Sequence, residues 1–258
     1  MKSWVKWDET SIDIVRELYG KIPVKEIRRL HLPEFTEAAI RCCAKRISVT
    51  NESNRIKYSH DENFFSTRTP ISDYWAGFIA ADGCVYSGES TIGIHLCIDD
   101  REHLVRFAND TEFTGVVDDR PKENSSRVRI HSAKKWIRDL RSNYNITERK
   151  SLNLTFPCLD NPFPFILGYI DGDGYIGIDN GYLCFSMVGT CAFLSSVKDV
   201  FDAQFPGTKR LAIVGKADAN LFRYGIKGVR ALKILSYLLS LPVPKLGRKW
   251  SKVIAYSK

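Results

Sequence analysis

Residues 74–83 read YWAGFIAADG and residues 165–174 read FILGYIDGDG, and these two stretches decide the fold of the last two thirds of the chain. Both are apolar, carry small residues at helical spacing and end in Asp-Gly, and Asp82 and Asp173 are 91 positions apart. Small residues on one face let two helix backbones approach closely. Because a glycine inside a helix costs about 1 kcal/mol relative to alanine, Gly77 and Gly168 indicate two helices packed against each other.

The segments that follow the two Asp-Gly pairs share one order of features. Strands are predicted where apolar and polar residues alternate, at 91–98, 127–131, 182–187 and 222–227. Helices are predicted where apolar residues recur every three or four positions, at 100–113, 133–141, 191–205 and 229–240. A basic pair closes each copy. We therefore predict one unit of about 90 residues used twice.

The charge of the chain is segregated. The net charge is +8, from 38 Lys and Arg against 30 Asp and Glu. Residues 71–119 hold 2 basic and 10 acidic residues, whereas residues 120–150 hold 10 basic and 3 acidic ones. This pattern indicates an anionic cluster, such as a cation site, beside surfaces that bind a polyanion. A solvated charged face is the alternative.

The composition is that of a globular protein, with 44% hydrophobic and 26% charged residues. No apolar run approaches the ~18 residues of a membrane span, and the first residues lack the apolar core of a signal peptide. We expect a cytoplasmic protein, neither secreted nor in a membrane. The cysteines are odd in number and form no CxxC pair, so we expect them to be reduced and buried; they are Cys42, Cys43, Cys84, Cys97, Cys158, Cys184 and Cys191.

The two Asp-Gly pairs mark the ends of the two predicted helices, where glycine can adopt the left-handed conformation. Asp82 and Asp173 then lie at the carboxyl ends of neighbouring helices, where the helix dipole disfavours a carboxylate unless a cation compensates. Two converging carboxylates with exposed helix carbonyls form an oxygen-only environment that suits Mg²⁺. A plain turn is the alternative for either segment alone, but two matching ends favour a site.

Residues 75–83 and 166–174 resemble the two signature motifs of the LAGLIDADG homing endonucleases, in the single-chain form. The resemblance covers about residues 70 to 258, and it includes the strand and helix order and the LGRK ending at 246–249. It implies an α+β fold: a pseudo-symmetric, duplicated αββαββα core. Its saddle-shaped antiparallel sheets would lie over duplex DNA, with the motif helices between the repeats.

The resemblance also implies the site residues. The eighth motif residue is the catalytic, metal-binding acid, here Asp82 and Asp173, and the carbonyls of Ala81 and Gly172 would join the metal shell. The metal would be Mg²⁺, or Mn²⁺ or Ca²⁺ at the same site, with no small-molecule cofactor. The sequence departs from the family at Ala80, where Asp is common and the second motif has Asp171. It also has Leu167 where a small residue is usual, so we expect an asymmetric interface.

The activity implied is site-specific cleavage of double-stranded DNA, with one phosphodiester hydrolysed on each strand across the minor groove to leave short 3′ overhangs. The partner would be an extended DNA duplex, bound by a monomer with internal pseudo-two-fold symmetry and encoded by a bacterium or phage. Two alternatives remain: an RNA-binding intron maturase on the same fold, and a DNA-binding regulator with an inactive nuclease core. Retention of both aspartates favours cleavage.

Basic residues on the predicted DNA face are candidates for catalysis and binding. Lys227 and His131 are candidates for polarising water or stabilising charge, with simple phosphate contact as the alternative. The predicted DNA contacts in the two repeats are Arg127, Arg129, Arg223, Lys227, Arg149, Lys150, Arg248 and Lys249.

Residues 1–50 are predicted to form a helix-turn-helix DNA-binding head. Asp8 or Thr10 would cap the first helix, Ile27 and Leu30 would be buried in the second, and Thr36 would cap the third. The segment resembles the Myb-like heads of some phage and bacterial endonucleases through Trp7, Leu18, Tyr19, Val24, Ile27, Ala39, Ile40, Ala44, Lys45 and Arg46. The outward residues of the last helix, expected in the major groove, are Arg41, Lys45 and Arg46.

A helical bundle without DNA contact is the alternative for this head. Residues 51–70 are predicted to be a linker, and residues 71–157 and 158–258 to be the two repeats.

Overall fold

The computed structural model divides the chain into two compact units, Met1–Lys57 and Tyr58–Lys258. The residues that the structure describes are 6–49, 58–86, 88, 90–207, 213–215 and 221–256, with only the backbone at 213–215. Residues 51–57, the first part of the predicted linker, lie outside them. Among the described residues, no helix is long and apolar enough to cross a membrane.

The first unit is a bundle of three short helices, α1 (Glu9–Leu18), α2 (Val24–Leu30) and α3 (Glu37–Arg46). The predicted caps are confirmed, because Asp8 accepts a hydrogen bond from the Ser11 amide at 2.8 Å and Thr36 accepts one from the Ala39 amide at 3.1 Å. The core of this unit consists of Val15, Ile27, Leu32, Phe35, Ile40, Cys43 and Ala44.

The predicted burial of Leu30 is wrong. α2 ends at this residue, whose surface is 58% exposed, and the turn that follows brings Leu32 into the core instead. The three basic residues of α3, Arg41, Lys45 and Arg46, are exposed as expected. The assignment of this bundle as a DNA-binding helix-turn-helix stays a prediction.

The second unit contains the order αββαββα twice. The first copy consists of α4 (Pro70–Asp82), β1 (Gly83–Tyr86), β2 (Thr91–Cys97), α5 (Arg101–Asp110), β3 (Asp118–Arg120), β4 (Ser125–Ile130) and α6 (Lys134–Tyr144). The second consists of α8 (Phe163–Asp173), β5 (Tyr175–Asp179), β6 (Tyr182–Gly189), α9 (Cys191–Gln204), β7 (Ile213–Gly215), β8 (Phe222–Lys227) and α10 (Val229–Ser240). A short helix α7 (Lys150–Asn153) follows the first copy, and α11 (Gly247–Tyr256) follows the second.

Each copy forms one four-stranded antiparallel sheet, and the two sheets share a strand order: β1-β2-β4-β3 and β5-β6-β8-β7. The predicted alternation fixes which face is buried. Ile94 pairs with Val128 on the core face of the first sheet, and Phe185 pairs with Ile226 on that of the second. The opposite faces of both sheets are open and carry polar residues.

Residues 58–70 are part of the second unit, so the linker prediction is wrong for them. Phe65 is fully buried in the core, and the Trp136 indole donates to the Asp61 carbonyl at 2.7 Å. The Arg68 guanidinium donates to the carbonyls of Asn143 and Cys158. The segment is mostly polar, so its sequence did not predict these few contacts with the rest of the second unit.

The predicted left-handed ends of the two motif helices are also wrong. Gly83 has φ −74° and Gly174 has φ −85°, so each glycine is extended. Gly83 is the first residue of β1, and Gly174 directly precedes β5. A Cβ on Gly83 would lie 2.8 Å from the Ile79 carbonyl oxygen. Glycine is needed at this position for close approach to its own helix rather than for a left-handed turn.

The seven cysteines are all free, which agrees with the expected reduced state. The expected burial is wrong for most of them, because Cys43 alone is buried, Cys184 is partly covered, and the others are exposed. Several exposed ones, such as Cys84 and Cys97, lie on strands at positions that alternate away from the core.

The centre of the second unit is the contact between α4 and α8, whose backbones touch through glycine. A Cβ on Gly168 would overlap the Tyr74 carbonyl oxygen and would lie 2.9 Å from the Phe78 amide nitrogen. A Cβ on Gly77 would overlap the Phe165 carbonyl oxygen in the same way. The predicted packing reason for both glycines is therefore confirmed.

The variant Gly168→Ala should destabilise the protein strongly, because a single methyl group would force the two helix backbones apart. We expect the free energy of unfolding to fall by about 3 kcal/mol in a urea titration. Gly247→Ala is the matched control, since this helical glycine has nothing within 4 Å of its Cβ position. Equal stability of the two variants would contradict the contact.

Candidate active site

Asp82 and Asp173 are the last residues of α4 and α8, so the packing of the helices brings the two carboxylates together. A Cβ on Gly172 would lie 3.4 Å from the Asp82 carboxyl carbon. The Asp82 side chain thus lies against the backbone of the opposite helix, where only glycine leaves room. The two helix ends therefore lie next to each other, as predicted.

The two carboxylates differ in exposure, since Asp82 is half-buried and Asp173 is exposed. Burial raises the pKa of Asp82, and the negative charge of Asp173 raises it further. Partial burial also raises the pKa of Asp173, although part of this residue reaches solvent. Lys150 and Lys249 act in the opposite direction on both carboxyls.

The two lysines are held at the carbonyl ends of the motif helices. The Lys150 ammonium donates to the Ala80 carbonyl at 2.8 Å and to the Ala81 carbonyl. The Lys249 ammonium donates to the carbonyls of Ile170, Asp171 and Gly172 at 3.0, 2.6 and 2.8 Å. A cation is favourable at a helix C-terminus, where the unpaired carbonyls collect partial negative charge.

These contacts correct the predicted role of the two lysines as DNA contacts, whereas DNA contact by Arg149 and Arg248 stays a prediction. Lys249 is only 6% exposed, and burial lowers its pKa to about 8, so it is an internal group of the site rather than a surface contact. Lys150 is half-buried, and burial lowers its pKa as well. Arg248 pairs through Nε with both oxygens of buried Asp100, at 2.9 and 2.8 Å, while Arg149 is exposed.

The predicted catalytic candidates Lys227 and His131 lie away from the carboxylates. Lys227 pairs with Asp179 at 2.5 Å, at the hairpin end of its sheet. Its strand partner is Cys184, which pairs in turn with Gly177, so Lys227 is roughly 13 Å along the strand direction from Asp173. His131 lies at the corresponding hairpin end of the first sheet, where its Nδ1 is 3.0 Å from the Thr91 hydroxyl. Both residues lie on the outward side of their strands, as predicted, but neither lies next to Asp82 or Asp173.

The donor set of the site fits a hard divalent cation. Within the described residues there is no cluster of three or more His, Cys, Asp or Glu side chains, so the protein would supply two carboxylates and main-chain oxygens. Mg²⁺ commonly binds through one or two carboxylates together with water and phosphate. The mutual repulsion that raises the Asp82 pKa is relieved by such a cation. The carbonyls of Ala81 and Gly172 accept hydrogen bonds from the lysines and keep a second lone pair.

Behind the site, a buried polar network crosses between the two copies. The Tyr74 hydroxyl donates to Asp171 at 2.7 Å and lies 2.8 Å from Nε2 of His103, which therefore donates to the tyrosine oxygen. The Trp250 indole and the Leu246 amide also donate to Asp171, at 2.6 and 2.9 Å. Burial raises the pKa of Asp171 to about 6 against the effect of these donors, and burial lowers the pKa of His103 to about 3.

The open faces of the two sheets carry the remaining predicted DNA contacts. Arg129 and Arg223 are exposed, and Arg127 pairs with Asp118 at 2.8 Å. A groove of about 1210 Å³ lies over the second sheet; its basic and aromatic lining residues include Tyr175, Tyr182, Arg223, Lys227, Arg230 and Lys233.

Comparisons with known proteins give structural neighbours only, since no family model and no curated protein matches the chain. The LAGLIDADG homing endonuclease I-GzeII, in complex with a DNA target, aligns with TM-score 0.52 at 14% identity over 74% of this chain and 89% of that chain. The LAGLIDADG meganuclease I-AabMI, bound to uncleaved DNA, gives TM-score 0.51 at 14% identity with the same coverage. The meganuclease I-SmaMI, bound to an uncleavable DNA, gives TM-score 0.50 at 12% identity over 74% and 88%.

This chain has the LAGLIDADG endonuclease fold. The predicted fold class is thereby confirmed at the level of architecture.

Within the LAGLIDADG fold of this chain, sequence reasoning missed three features of the site. It did not assign Lys150 and Lys249 to the helix ends, although a basic pair after each copy marked them as equivalent. It treated Asp171 as a motif variation, without its partners. It also passed over Tyr175 and Tyr182, each 56% exposed, which the strand alternation could have placed on the open face.

The buried network predicts a specific pH dependence of stability. The His103 pKa is about 3 in the folded LAGLIDADG unit and about 6.5 when unfolded, so its contribution is present above pH 6.5 and is lost as pH falls towards 3. We expect the stability advantage of wild type over His103→Gln to shrink by about 2–3 kcal/mol between pH 7.5 and 4.5.

Urea titrations of the two proteins at matched pH values measure this difference. Asp171, whose raised pKa acts with the opposite sign between about 4 and 6, is present in both proteins, so the subtraction removes its contribution to a first approximation. A difference that does not change with pH would contradict a buried, neutral His103.

Proposed function

We propose that this protein is a site-specific, metal-dependent double-strand DNA endonuclease of the LAGLIDADG family. One observation carries the proposal: two carboxylates and two lysine ammonium groups converge at the carbonyl ends of two helices in direct backbone contact. The fold is shared with proteins whose structures were solved on DNA. A protein that only binds DNA has no use for paired carboxylates beside phosphates.

Phosphodiester hydrolysis needs a water aimed in line, a cation on the attacked phosphate and stabilisation of the leaving oxygen. Asp82 and Asp173 would hold Mg²⁺ or another hard divalent cation, which supplies Lewis acidity at the phosphate and makes bound water more acidic. The two aspartates must be ionised to do so. Lys150 and Lys249 favour the ionised form of both carboxyls.

The two lysines have a further use in this proposal. Their ammonium groups are fixed next to the carboxylates by main-chain carbonyls rather than by flexible partners, so they need little rearrangement as negative charge develops on a phosphate. Each lysine caps the motif helix of its own copy, and its charge also acts on the carboxyl of the other copy. We propose that the pair contributes to cleavage of both strands across the minor groove, leaving short 3′ overhangs.

The open faces of the two sheets are the proposed DNA-binding surface. Arg129 and Arg223 are exposed there on equivalent strands, and the groove over the second sheet adds further cations. Phosphate contacts of this kind give affinity, whereas contacts with base edges give specificity. We propose that the exposed basic residues of α3 in the first unit, Arg41, Lys45 and Arg46, add a second contact with the same DNA.

Removal of the carboxylates tests the proposed activity. The double variant Asp82→Asn/Asp173→Asn should bind DNA at least as tightly as wild type, because two negative charges near phosphate are lost. Its rate of DNA cleavage should fall by at least about 100- to 1000-fold. Cleavage is measured by sequencing the ends formed in a randomised or host-genome library with Mg²⁺. Chelation of the metal should abolish cutting by the wild type.

Asp160→Asn is the matched control, because it makes the same isosteric substitution at an exposed aspartate outside the site. Undiminished cutting by the double variant would contradict the assignment of the acids. Binding of DNA by the wild type without any cutting would instead favour a regulator with an inactive core.

The role of the first unit is tested in the full chain by the variant Arg41→Ala/Lys45→Ala/Arg46→Ala. If all three residues contact phosphate, the slope of log affinity against log salt should become shallower by about 0.9 per contact, or about 2.7 in total. The control is Arg16→Ala/Lys21→Ala, which removes exposed basic residues outside α3. An unchanged slope in the α3 variant would favour a bundle without DNA contact.

A further inference from the structure

Asp171, the sixth residue of the second motif, is 1% exposed and accepts three hydrogen bonds. One carboxylate oxygen accepts from the Leu246 amide at 2.9 Å and from the Tyr74 hydroxyl at 2.7 Å, and the other accepts from the Trp250 indole at 2.6 Å. A buried carboxylate is costly unless its oxygens are satisfied, and here each one has a directed donor. Two of the three donors flank the start of α11: Leu246 directly precedes the helix, and Trp250 lies in its first turn.

These two donors lie on either side of Lys249. The Leu246 residue precedes α11 and its carbonyl accepts from the Lys249 amide at 2.9 Å, while Trp250 is the next residue along the helix. Asp171 therefore fixes the main chain just before Lys249 and the side chain just after it. This leaves the Lys249 side chain pointing at the last turn of α8, where it meets three carbonyls.

We propose that Asp171 is a positioning residue, which acts through Leu246 and Trp250 to hold the Lys249 ammonium at the carbonyl end of α8. The Asp171 carboxylate thereby stabilises the second half of the site although it is itself buried and does not face the open surface. The inference concerns the protein alone; its consequence for cleavage rests on the function proposed above.

The first copy has no carboxylate at the position equivalent to Asp171. Its sixth motif residue is Ala80, and Lys150 begins a helix of only four residues. Lys150 reaches two carbonyls of α4 where Lys249 reaches three of α8. The two lysines are thus held by different means, and Lys150 serves as an internal reference in the same molecule.

The positioning role is tested without DNA or metal by acetylating the lysines with acetic anhydride and measuring each site by mass spectrometry. Wild type should protect Lys249. Asp171→Asn should make Lys249 react at least about 10-fold faster. The wild-type donors use both carboxylate oxygens of Asp171, whereas an asparagine amide has only one acceptor oxygen. Lys150 should react as in wild type.

Two further variants separate positioning from general loss of stability. Trp250→Phe removes one donor next to Lys249 and should also expose it. Tyr74→Phe removes a donor that reaches Asp171 from α4, and it should lower the melting temperature while Lys249 stays protected. If Asp171→Asn fails to fold, Trp250→Phe decides. Protection of Lys249 in Trp250→Phe, or equal exposure in Tyr74→Phe, would overturn the proposal.

A cleavage measurement extends the test. On a nicked-product gel, the Asp171→Asn variant should cut one strand about 10- to 100-fold more slowly. The other strand should be slowed by a clearly smaller factor, since the Lys249 charge also acts on the carboxyl of the other copy. Equal slowing of both strands would refute a role confined to Lys249. If the wild type cuts no DNA, the proposed function fails, whereas the acetylation result still decides the role of Asp171.

Discussion

The structure depends on one steric constraint, the direct contact of two helix backbones at Gly77 and Gly168. Each glycine lies under a carbonyl of the opposite helix, Phe165 or Tyr74, and no side chain fits between them. The contact fixes the helices side by side at one depth, so both end at the same level. Because each helix runs straight into the first strand of a sheet, it also determines where the two sheets begin.

The consequence of that alignment is an electrostatic conflict at the helix ends. Two carbonyl termini and two carboxylates meet at one place, and burial together with the charge of Asp173 raises the Asp82 pKa. The buried ammonium groups of Lys150 and Lys249 offset part of this charge, and burial lowers the pKa of each in turn. The site is a compact array of opposed charges, which stays intact because main-chain carbonyls hold the lysines in place.

The sequence was sufficient for the parts of the structure that a repeating pattern encodes. Alternation in residues 91–98 and 182–187 reports which face of a strand is buried, and both strands formed there. It does not report where a residue lies along the sheet, so Lys227 and His131 were predicted on a correct face but near the wrong end. The lysines at the helix ends and the anchors in residues 58–70 depend on contacts between distant segments, which no local pattern carries.

The two copies differ most in how their ends are secured. In the second, Asp171 joins Tyr74 of the first motif helix to Trp250 of the last helix, and His103 extends the network into α5. The Arg248–Asp100 pair joins α11 to the residue that precedes α5, with an exposed arginine on a buried carboxylate. Both connections involve α11 and the α5 region, whereas Ala80 has no side-chain acceptor at the corresponding position of the first motif. Replacing buried ionic groups by apolar residues of similar volume is often neutral or stabilising. The contribution of Asp171 is therefore directional, since its two oxygens accept donors in one arrangement. The backbone contact at Gly77 and Gly168 fixes the distance between the helices, and the polar network around Asp171 fixes which side chains meet beside them.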